Sequence, residues 1–406
     1  MISSKNVIRK IILVTIGFLF LMQTSCSENE KFKSDIVNPK TDMNPNSNAT
    51  SKDSSTANYM LAQPSRVLNI RTPGKCYSQD FGTVYREKGF DRWLLYYGAV
   101  SDLAKPRVHS CHNPGYSEDI WVTWDTKDGF NFQKESVLLL TSQDLADAIG
   151  KGPGADPACK ECSGWMVGDP AVVRGNSKKW YLFFDGQSCL DAQNKTWTGI
   201  FVATSDSPFR GWSITPTGPQ GLALPVTPTT GTKKITPAWP RIFKDPTNGK
   251  IYLYYNDQKL KIRVVEIADN GDGGIWKYTE IGSAPVTKQG VADTLSVFYA
   301  NGKYWAVTDD FAKTKSVHLL GPSPTPFYFD WETRREILKA KDWYSEKIMG
   351  VSSIGPDHTD DKKPRVYFWG HSSGNSCVED GQESAGASIL DMDLAAFSSS
   401  SSVAAP

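Results

Sequence analysis

Three aspartates stand at the heads of apolar segments that are far apart in this 406-residue chain. They are Asp80 in SQDFGTVYR, Asp169 in VGDPAVVR and Asp293 in GVADTLSVFY. Asp80 and Asp169 each precede a valine by four residues, and Asp293 falls close to the same place in its own segment. Carboxylates that are packed together raise one another's pKa and attract protons or cations. If folding brings the segments together, these three residues predict a site for acid–base catalysis.

Two further segments have the same form but a different chemistry at their start. TPAWPRIFKD puts Trp239 where the aspartate is expected, with Arg241 two residues later, and KIMGVSSIGPD has small neutral residues there. An indole face stacks on flat or ring-shaped ligands, and a guanidinium binds an anionic substituent. Together with carboxylates that accept bonds from hydroxyls, this mixture suits a sugar. We therefore predict that Trp239 and Arg241 bind substrate beside the three catalytic aspartates.

An aromatic-rich segment follows each of these starts across a polar turn. The five segments recur at intervals of roughly 50 to 90 residues, which leaves room for about four short strands per unit, the size of one propeller blade. The sequence thus predicts an all-β fold, a five-bladed β-propeller whose innermost strands carry the aspartates to one mouth of a central channel. The segments are Trp93–Gly98, Trp180–Gly186, Ile251–Asp257, Tyr304–Asp310 and Arg365–His371.

The ends of the chain are predicted to lie outside this domain. Residues 1–26 have the basic start, apolar core and small-residue end of a signal peptide, and Cys26 after Thr-Ser resembles the lipidation site of bacterial lipoproteins. Because Gln23 replaces the usual aliphatic residue, plain secretion and an uncleaved anchor stay open. We expect export, with membrane contact only through a lipid on Cys26. Residues 27–60 are predicted to form a disordered tether, 61–397 the propeller and 398–406 a flexible tail.

Six cysteines remain after Cys26, an even number that predicts three disulfides in an exported protein but leaves fifteen pairings open. Cys76 precedes the first blade and Cys377 follows the last, so a bridge between them would clasp the ring. Cys159 and Cys162 have the spacing of zinc ligands, which is the alternative reading for that pair.

Composition narrows the class of partner. The formal net charge is +1 and no basic stripe is present, so we expect no nucleic-acid partner. No glycine-rich phosphate loop or Ser/His/Asp motif stands out. We expect a monomer that acts on a carbohydrate. A propeller that serves only as a protein-interaction scaffold is the alternative, and it would have no acid cluster at the mouth.

The segment GDPAVVRGNSKKWYLFFDG resembles the Asp-Pro strand pair of five-bladed glycoside hydrolases of the family 43 type, a clan with arabinanases, xylosidases and fructosidase-like propellers. FVATSDSPFRGWSI and DIWVTWDTKDGFNF resemble the outer strands of such blades, and the resemblance runs from about Cys76 to Leu394. It implies a general base at Asp80 and a supporting carboxylate at Asp169. Its general acid, a glutamate that opens blade three, is missing, because that place reads Trp239-Pro240-Arg241.

Glycoside hydrolysis needs two carboxyl groups on either side of the bond. Asp293 is the first candidate for the missing acid, with Glu346, Glu118 and His358 as poorer ones. The resemblance also implies room for a calcium ion in the channel, although no loop pattern demands one. We expect an inverting glycoside hydrolase for a polysaccharide or oligosaccharide at the cell surface, with its general acid unassigned. The alternative is a non-catalytic glycan-binding lipoprotein, which Trp239 in place of glutamate favours.

Overall fold

The computed structural model of the protein describes most of the compact unit Ala57–Pro406. The predicted signal peptide, nearly all of the tether and the C-terminal tail lie outside the described residues. The described residues are 60–61, 65–68, 80–100, 118–133, 135–155, 157–158, 162–189, 197–214, 237–256, 262–268, 278–283, 294–310, 316–339, 347–371 and 384–391.

The strands of this part of the chain form five small antiparallel sheets. The first contains β3 (Asp80–Tyr85), β4 (Trp93–Val100), β5 (Glu118–Asp125) and β6 (Val137–Leu140). Helix α1 (Ser142–Ile149) leads to the second, with β7 (Trp165–Arg174), β8 (Trp180–Ser188), β9 (Thr198–Ser205) and β10 (Ser213–Ile214). The third contains β11 (Ala238–Lys244), β12 (Ile251–Asn256), β13 (Ile262–Ile267) and β14 (Tyr278–Ser283).

The fourth sheet contains β15 (Leu295–Ala300), β16 (Lys303–Asp310), β17 (Ser316–Ser323) and β18 (Arg335–Lys339), with a 3₁₀ turn at Trp331–Thr333. The fifth has β19 (Lys347–Ile354), β20 (Arg365–His371) and β21 (Ser384–Asp391), with a 3₁₀ turn at Pro356–His358. Strands β1 (Met60–Leu61) and β2 (Ser65–Leu68) complete it by pairing with β21.

The ring is therefore closed by backbone hydrogen bonds between the first and last strands of the domain. The predicted clasp between Cys76 and Cys377 lies outside the described residues and stays a prediction. Cys162 and Cys189 are both disulfide-bonded.

Five hydrophobic clusters hold the sheets together, and each lies between two neighbouring sheets. Leu94 and Leu182 meet between the first and second sheets, and Val366 packs with Val307 between the fifth and fourth. Because every sheet is covered on both faces, its aromatic strand is buried almost throughout, as in β8 and β12. This ring of five sheets and five interfaces confirms the predicted all-β, five-bladed β-propeller, and the sheets are its blades.

Hydroxyl side chains join the innermost strands of successive blades. Thr83 Oγ1 of β3 accepts a bond from Val172 N of β7 at 3.2 Å. In the same way Ser352 Oγ of β19 accepts from Val84 N at 3.2 Å. Since each bond links corresponding backbone positions, the bonds fix the register of one blade against the next.

Among the helices in the described part of the chain, none is long and apolar enough to span a membrane.

Candidate active site at the bulged mouth of the channel

Four of the five innermost strands carry a β-bulge near their N-terminal end. The pairing with the second strand slips between Phe81 and Thr83, between Gly168 and Ala171, between Ala238 and Arg241, and between Met349 and Val351. A bulge turns the strand and redirects its side chains, and bulges are common at barrel rims and beside active sites. We call this end of the channel the mouth.

The bulges of blades two, three and five use left-handed backbone conformations. Asp169 has φ 47°, Trp239 has φ 58° and Gly350 has φ 70°. Glycine adopts this region at no steric cost, whereas other residues lose about 1–2 kcal/mol there. Asp169 and Trp239 therefore hold strained backbones, and both side chains are half-buried. Such strain concentrates at functional sites, where the rest of the fold compensates for it.

The strand register corrects the sequence alignment of blade one. Leu95 and Leu182 are the third residues of their aromatic segments, and they pair with Val84 and Val172 respectively. Counting back from these valines places Phe81, not Asp80, in register with Asp169. Asp80 corresponds to Gly168, one residue nearer the N terminus. The sequence spacing matches Val84 to Val173, which is one residue later than the valine that the strand register gives, Val172. Asp80 and Asp169 therefore lie at the same end of the channel but do not occupy equivalent positions.

Gly82 marks the same bulge in blade one. A Cβ atom on this glycine would collide with the ring and the carbonyl of Pro170 in blade two. The close approach of the two bulges therefore requires glycine at this position.

Two aspartates that the sequence analysis did not single out hold the bulges in place. Asp185 Oδ2 on β8 accepts a bond from Trp239 N of the next blade at 2.8 Å. Asp309 Oδ2 on β16 accepts one from Gly350 N of the next blade at 3.0 Å. The two carboxylates occupy corresponding positions of their aromatic segments. The same kind of hydrogen bond therefore joins blade two to blade three and blade four to blade five. The shared position in WYLFFDG and YWAVTDD was the available signal.

Asp309 is the more deeply buried of the two and is fully enclosed. Its Oδ1 also accepts bonds from Thr294 N at 2.8 Å and from Thr294 Oγ1 at 3.0 Å. Loss of water around the carboxylate raises the pKa of Asp309, and the bonds from Thr294 and Gly350 oppose that rise. Asp309 therefore acts as a buried anchor for the bulge.

Arg241 closes the channel beneath the mouth. Its side chain is only 1% exposed and crosses from blade three to blade five, where Nε donates to Val351 O at 2.9 Å. Nη1 donates to Pro240 O at 2.7 Å. The corresponding positions of the other blades are buried as well; they are Thr83, Ala171, Ser296 and Ser352. A ligand in the mouth meets Arg241 only if this buried layer opens, so its predicted contact with substrate has no support here.

The other predicted residues are placed as follows. Asp293 and Glu346 lie outside the described residues, and Asp80 and Glu118 are described by their backbones alone, at the first positions of β3 and β5. His358 lies beyond the C-terminal end of β19, at the opposite end of the channel from the bulges. It therefore cannot serve as the acid at the mouth. Among the described side chains, no three His, Cys, Asp or Glu residues cluster to hold a metal, and the calcium ion stays a prediction.

Comparison with solved structures gives the same class of fold. The chain is similar to a family 117 glycoside hydrolase from the marine bacterium Zobellia galactanivorans, with 13% identity, a TM-score of 0.52, and coverage of 82% of this chain and 90% of that one. It is also similar to a family 43 β-xylosidase/α-arabinofuranosidase from a compost microbial metagenome, solved with xylotriose. There the identity is 14%, the TM-score 0.51, and the coverage 82% and 96%. No protein-family model and no curated protein sequence matches the chain.

Proposed function

We propose that the protein is a glycoside hydrolase that binds a polysaccharide or oligosaccharide at the bulged mouth. The observation that carries this proposal is the pair of strained residues, Asp169 and Trp239, at corresponding bulges of adjacent blades. A carboxylate and an indole at corresponding bulges of adjacent blades would supply a hydroxyl acceptor and a stacking surface, two contacts that suit a sugar ring. The likeness of the fold to glycoside hydrolases of families 43 and 117 supports the choice of substrate class.

The proposed reaction is a single displacement with inversion. Asp80 at the start of β3 would take a proton from water as the water oxygen attacks the anomeric carbon and the glycosidic bond breaks. Asp169 would be the supporting carboxylate that sets the pKa and orientation of the general acid. The leaving oxygen must receive a proton from a second carboxyl group, about 6.5–9.5 Å away from the base so that water fits between them. Asp293 remains the first candidate for that acid.

A non-catalytic glycan receptor is the second candidate function, and two aromatic residues favour it. In strand register the bulge positions of blades one, two and three carry Phe81, Asp169 and Trp239. The family resemblance implies a carboxylate at each of these openings; in blade one Asp80 supplies it from the position before Phe81, and in blade three Trp239 replaces it. Such a mouth could bind a sugar chain by stacking without breaking it. In either case we propose an exported protein, anchored by a lipid on Cys26 or secreted.

The test is activity of the purified protein on aryl-glycosides and oligosaccharides, with Asp80→Asn and Asp169→Asn measured beside it. Asp206→Asn is the matched control, because Asp206 is an exposed turn residue whose side chain is 88% accessible. Cleavage that both mouth variants abolish and the control keeps would establish the hydrolase. If no substrate is cleaved but one oligosaccharide raises the melting temperature, and Trp239→Ala removes that effect, the protein is a receptor. If the protein neither cleaves nor binds any of these sugars, both candidate functions are overturned.

A further inference from the structure

A cavity of about 300 Å³ lies at the other end of the channel. All five blades line it, because the C-terminal ends of the five innermost strands converge there in the same way as their N-terminal ends converge at the mouth. We call it the far cavity. Exposed residues, among them Pro246 and Asp357, lie at its edge.

The far cavity is separate from the mouth. Arg241 and its counterparts on the other innermost strands form a buried layer between them, and Arg241 spans the channel to reach Val351 O at 2.9 Å. A ligand at the mouth does not extend into the far cavity through this layer. The far cavity is therefore an independent site, and an inference from it does not rest on the proposed glycosidase activity.

The floor of the far cavity is apolar and has the symmetry of the fold. Val84, Val172, Ile242 and Val297 occupy corresponding positions on four blades, each opposite the third residue of its aromatic segment, and all four line the cavity. Ser353 is the counterpart in the fifth blade, because its N donates to Ser296 Oγ of the preceding blade at 2.9 Å, as Val84 N donates to Ser352 Oγ at 3.2 Å. A ring of branched side chains at this depth favours contact with carbon atoms rather than with a bare hydrated ion.

Two residues further along the chain from these floor positions, three blades place a cation: Arg86, Arg174 and Lys244. Arg174 is compensated by Glu87, at 3.7 Å between Nη1 and Oε2. The other two are half-buried and face the cavity without a carboxylate partner in the described part of the chain. Lys244 Nζ donates to the neutral carbonyl of Arg174 at 3.1 Å.

Like Lys244, Arg86 has no carboxylate partner among the described residues. Its Nη1 donates to the neutral carbonyl of Phe90, its guanidinium carbon lies 5.3 Å from the centre of the Trp93 ring, and its Nε is buried with no hydrogen-bond partner among the described residues. Fully buried charges are almost always paired, because losing water around an unpaired charge is costly, and partial burial carries part of that cost. Arg86 and Lys244 therefore leave a site for a negative group between them.

The acids around the far cavity are engaged elsewhere or exposed. Glu87 accepts a bond from Tyr85 Oη at 2.7 Å in addition to its pair with Arg174. Asp245 is buried within its own turn and accepts from Thr247 Oγ1 at 2.8 Å and Tyr304 Oη at 2.9 Å. Asp357 is exposed to water, which screens its charge.

We propose that the far cavity binds a small organic carboxylate, about one ring in size. The carboxylate would lie between Arg86 and Lys244, and the carbon skeleton would rest on the valine and isoleucine floor. The volume is at the lower end of ligand pockets, which sets the size of the ligand. An arginine and a lysine both donate charge-assisted hydrogen bonds to a carboxylate, and these are stronger than bonds between neutral groups.

The probe for this site is D-galacturonate, with D-galactose as its neutral counterpart, titrated calorimetrically into the full-length protein. We expect saturable binding of galacturonate and none of galactose. Lys244→Gln should weaken galacturonate binding at least tenfold. Lys250→Gln is the matched control, because Lys250 is exposed and lies on the same blade but pairs with Glu266 at 3.0 Å. Arg86→Gln should have the same effect as Lys244→Gln, and circular dichroism would show whether each variant is folded.

Other outcomes overturn the proposal. If galacturonate does not bind, or if Lys244→Gln binds it as well as Lys250→Gln does, the far cavity is not a carboxylate site. If inorganic phosphate binds as tightly as galacturonate and competes with it, the site takes a bare anion and the floor has no role. Trp239→Ala changes the mouth alone and should leave galacturonate binding intact, so a failure of this proposal is distinguishable from a failure of the proposed enzymatic function.

Discussion

The two ends of the channel are built from the same five strands, yet they differ in every respect that matters for binding. At the mouth, bulges break the strand pairing, and Asp169 and Trp239 hold strained backbones. At the far end the pairing is regular, the floor is a ring of branched side chains, and Arg86 and Lys244 have no carboxylate partners among the described residues. The contrast suggests that a propeller carries two independent chemistries when a buried layer divides its channel.

Arg241 is that divider, and removing it should have the largest effect. Arg241→Ala would leave a cavity on the axis and the Val351 carbonyl without its donor, so we expect a loss of roughly 3–5 kcal/mol in the free energy of unfolding. Urea denaturation followed by tryptophan fluorescence measures it. Arg210→Ala is the control, since Arg210 is exposed and should change stability by less than about 0.5 kcal/mol. A similar small change for both variants would mean that Arg241 does not divide the channel.

The two carboxylates that hold the bulges should differ in their effects. Asp309→Ala leaves three donated bonds unanswered in a fully buried place, so we expect a loss of roughly 2–4 kcal/mol in stability. Asp185→Ala releases Trp239 N, and we expect it to weaken oligosaccharide binding at the mouth more than Asp309→Ala does. Denaturation and calorimetry on both variants give the comparison. The prediction is wrong if Asp309→Ala lowers the free energy of unfolding by less than Asp185→Ala does.

The strain at the mouth can be measured by replacing Trp239 with two small residues. At φ 58° glycine is unstrained and alanine is not, so Trp239→Gly should be more stable than Trp239→Ala by about 1 kcal/mol. Alanine is usually the more stabilising of the two residues, so a more stable glycine variant requires that residue 239 adopts the left-handed backbone conformation. Both variants should lose oligosaccharide binding. Gly350→Ala tests the same geometry in blade five and should lose about 1 kcal/mol as well.

The sequence was sufficient to predict the blades, because the five aromatic segments mark the second strand of each one and are buried on both faces. It was not sufficient to fix the bulges. A bulge adds one residue without changing the apolar pattern, so counting from Val173 instead of Val172 placed Asp80 in register with Asp169. Proline after Asp169 and Trp239, and Gly82 after Phe81, were the only local marks of these bulges.

The depth of a side chain was also beyond the reach of the pattern. Arg241 was predicted to meet substrate because it follows Trp239, but only the contact with Val351 in another blade shows that it is buried. The far cavity was missed for a related reason. Arg86 and Lys244 are followed by Glu87 and Asp245, so in sequence they look like ordinary paired surface charges, and only the fold shows which acids are engaged elsewhere.

The smallest effect we predict concerns pH at the far cavity. His358 lines it, and burial lowers the pKa of His358 from its usual value of about 6.5, with Arg86 and Lys244 lowering it further and Asp357 and Glu87 raising it. A bound carboxylate would favour the charged imidazole, so binding takes up a proton. Galacturonate affinity should therefore rise about threefold as the pH falls from 7 to 5, where the sugar acid is still ionised. His358→Gln should flatten this dependence without abolishing binding, and an equally steep profile in that variant would place the titrating group elsewhere.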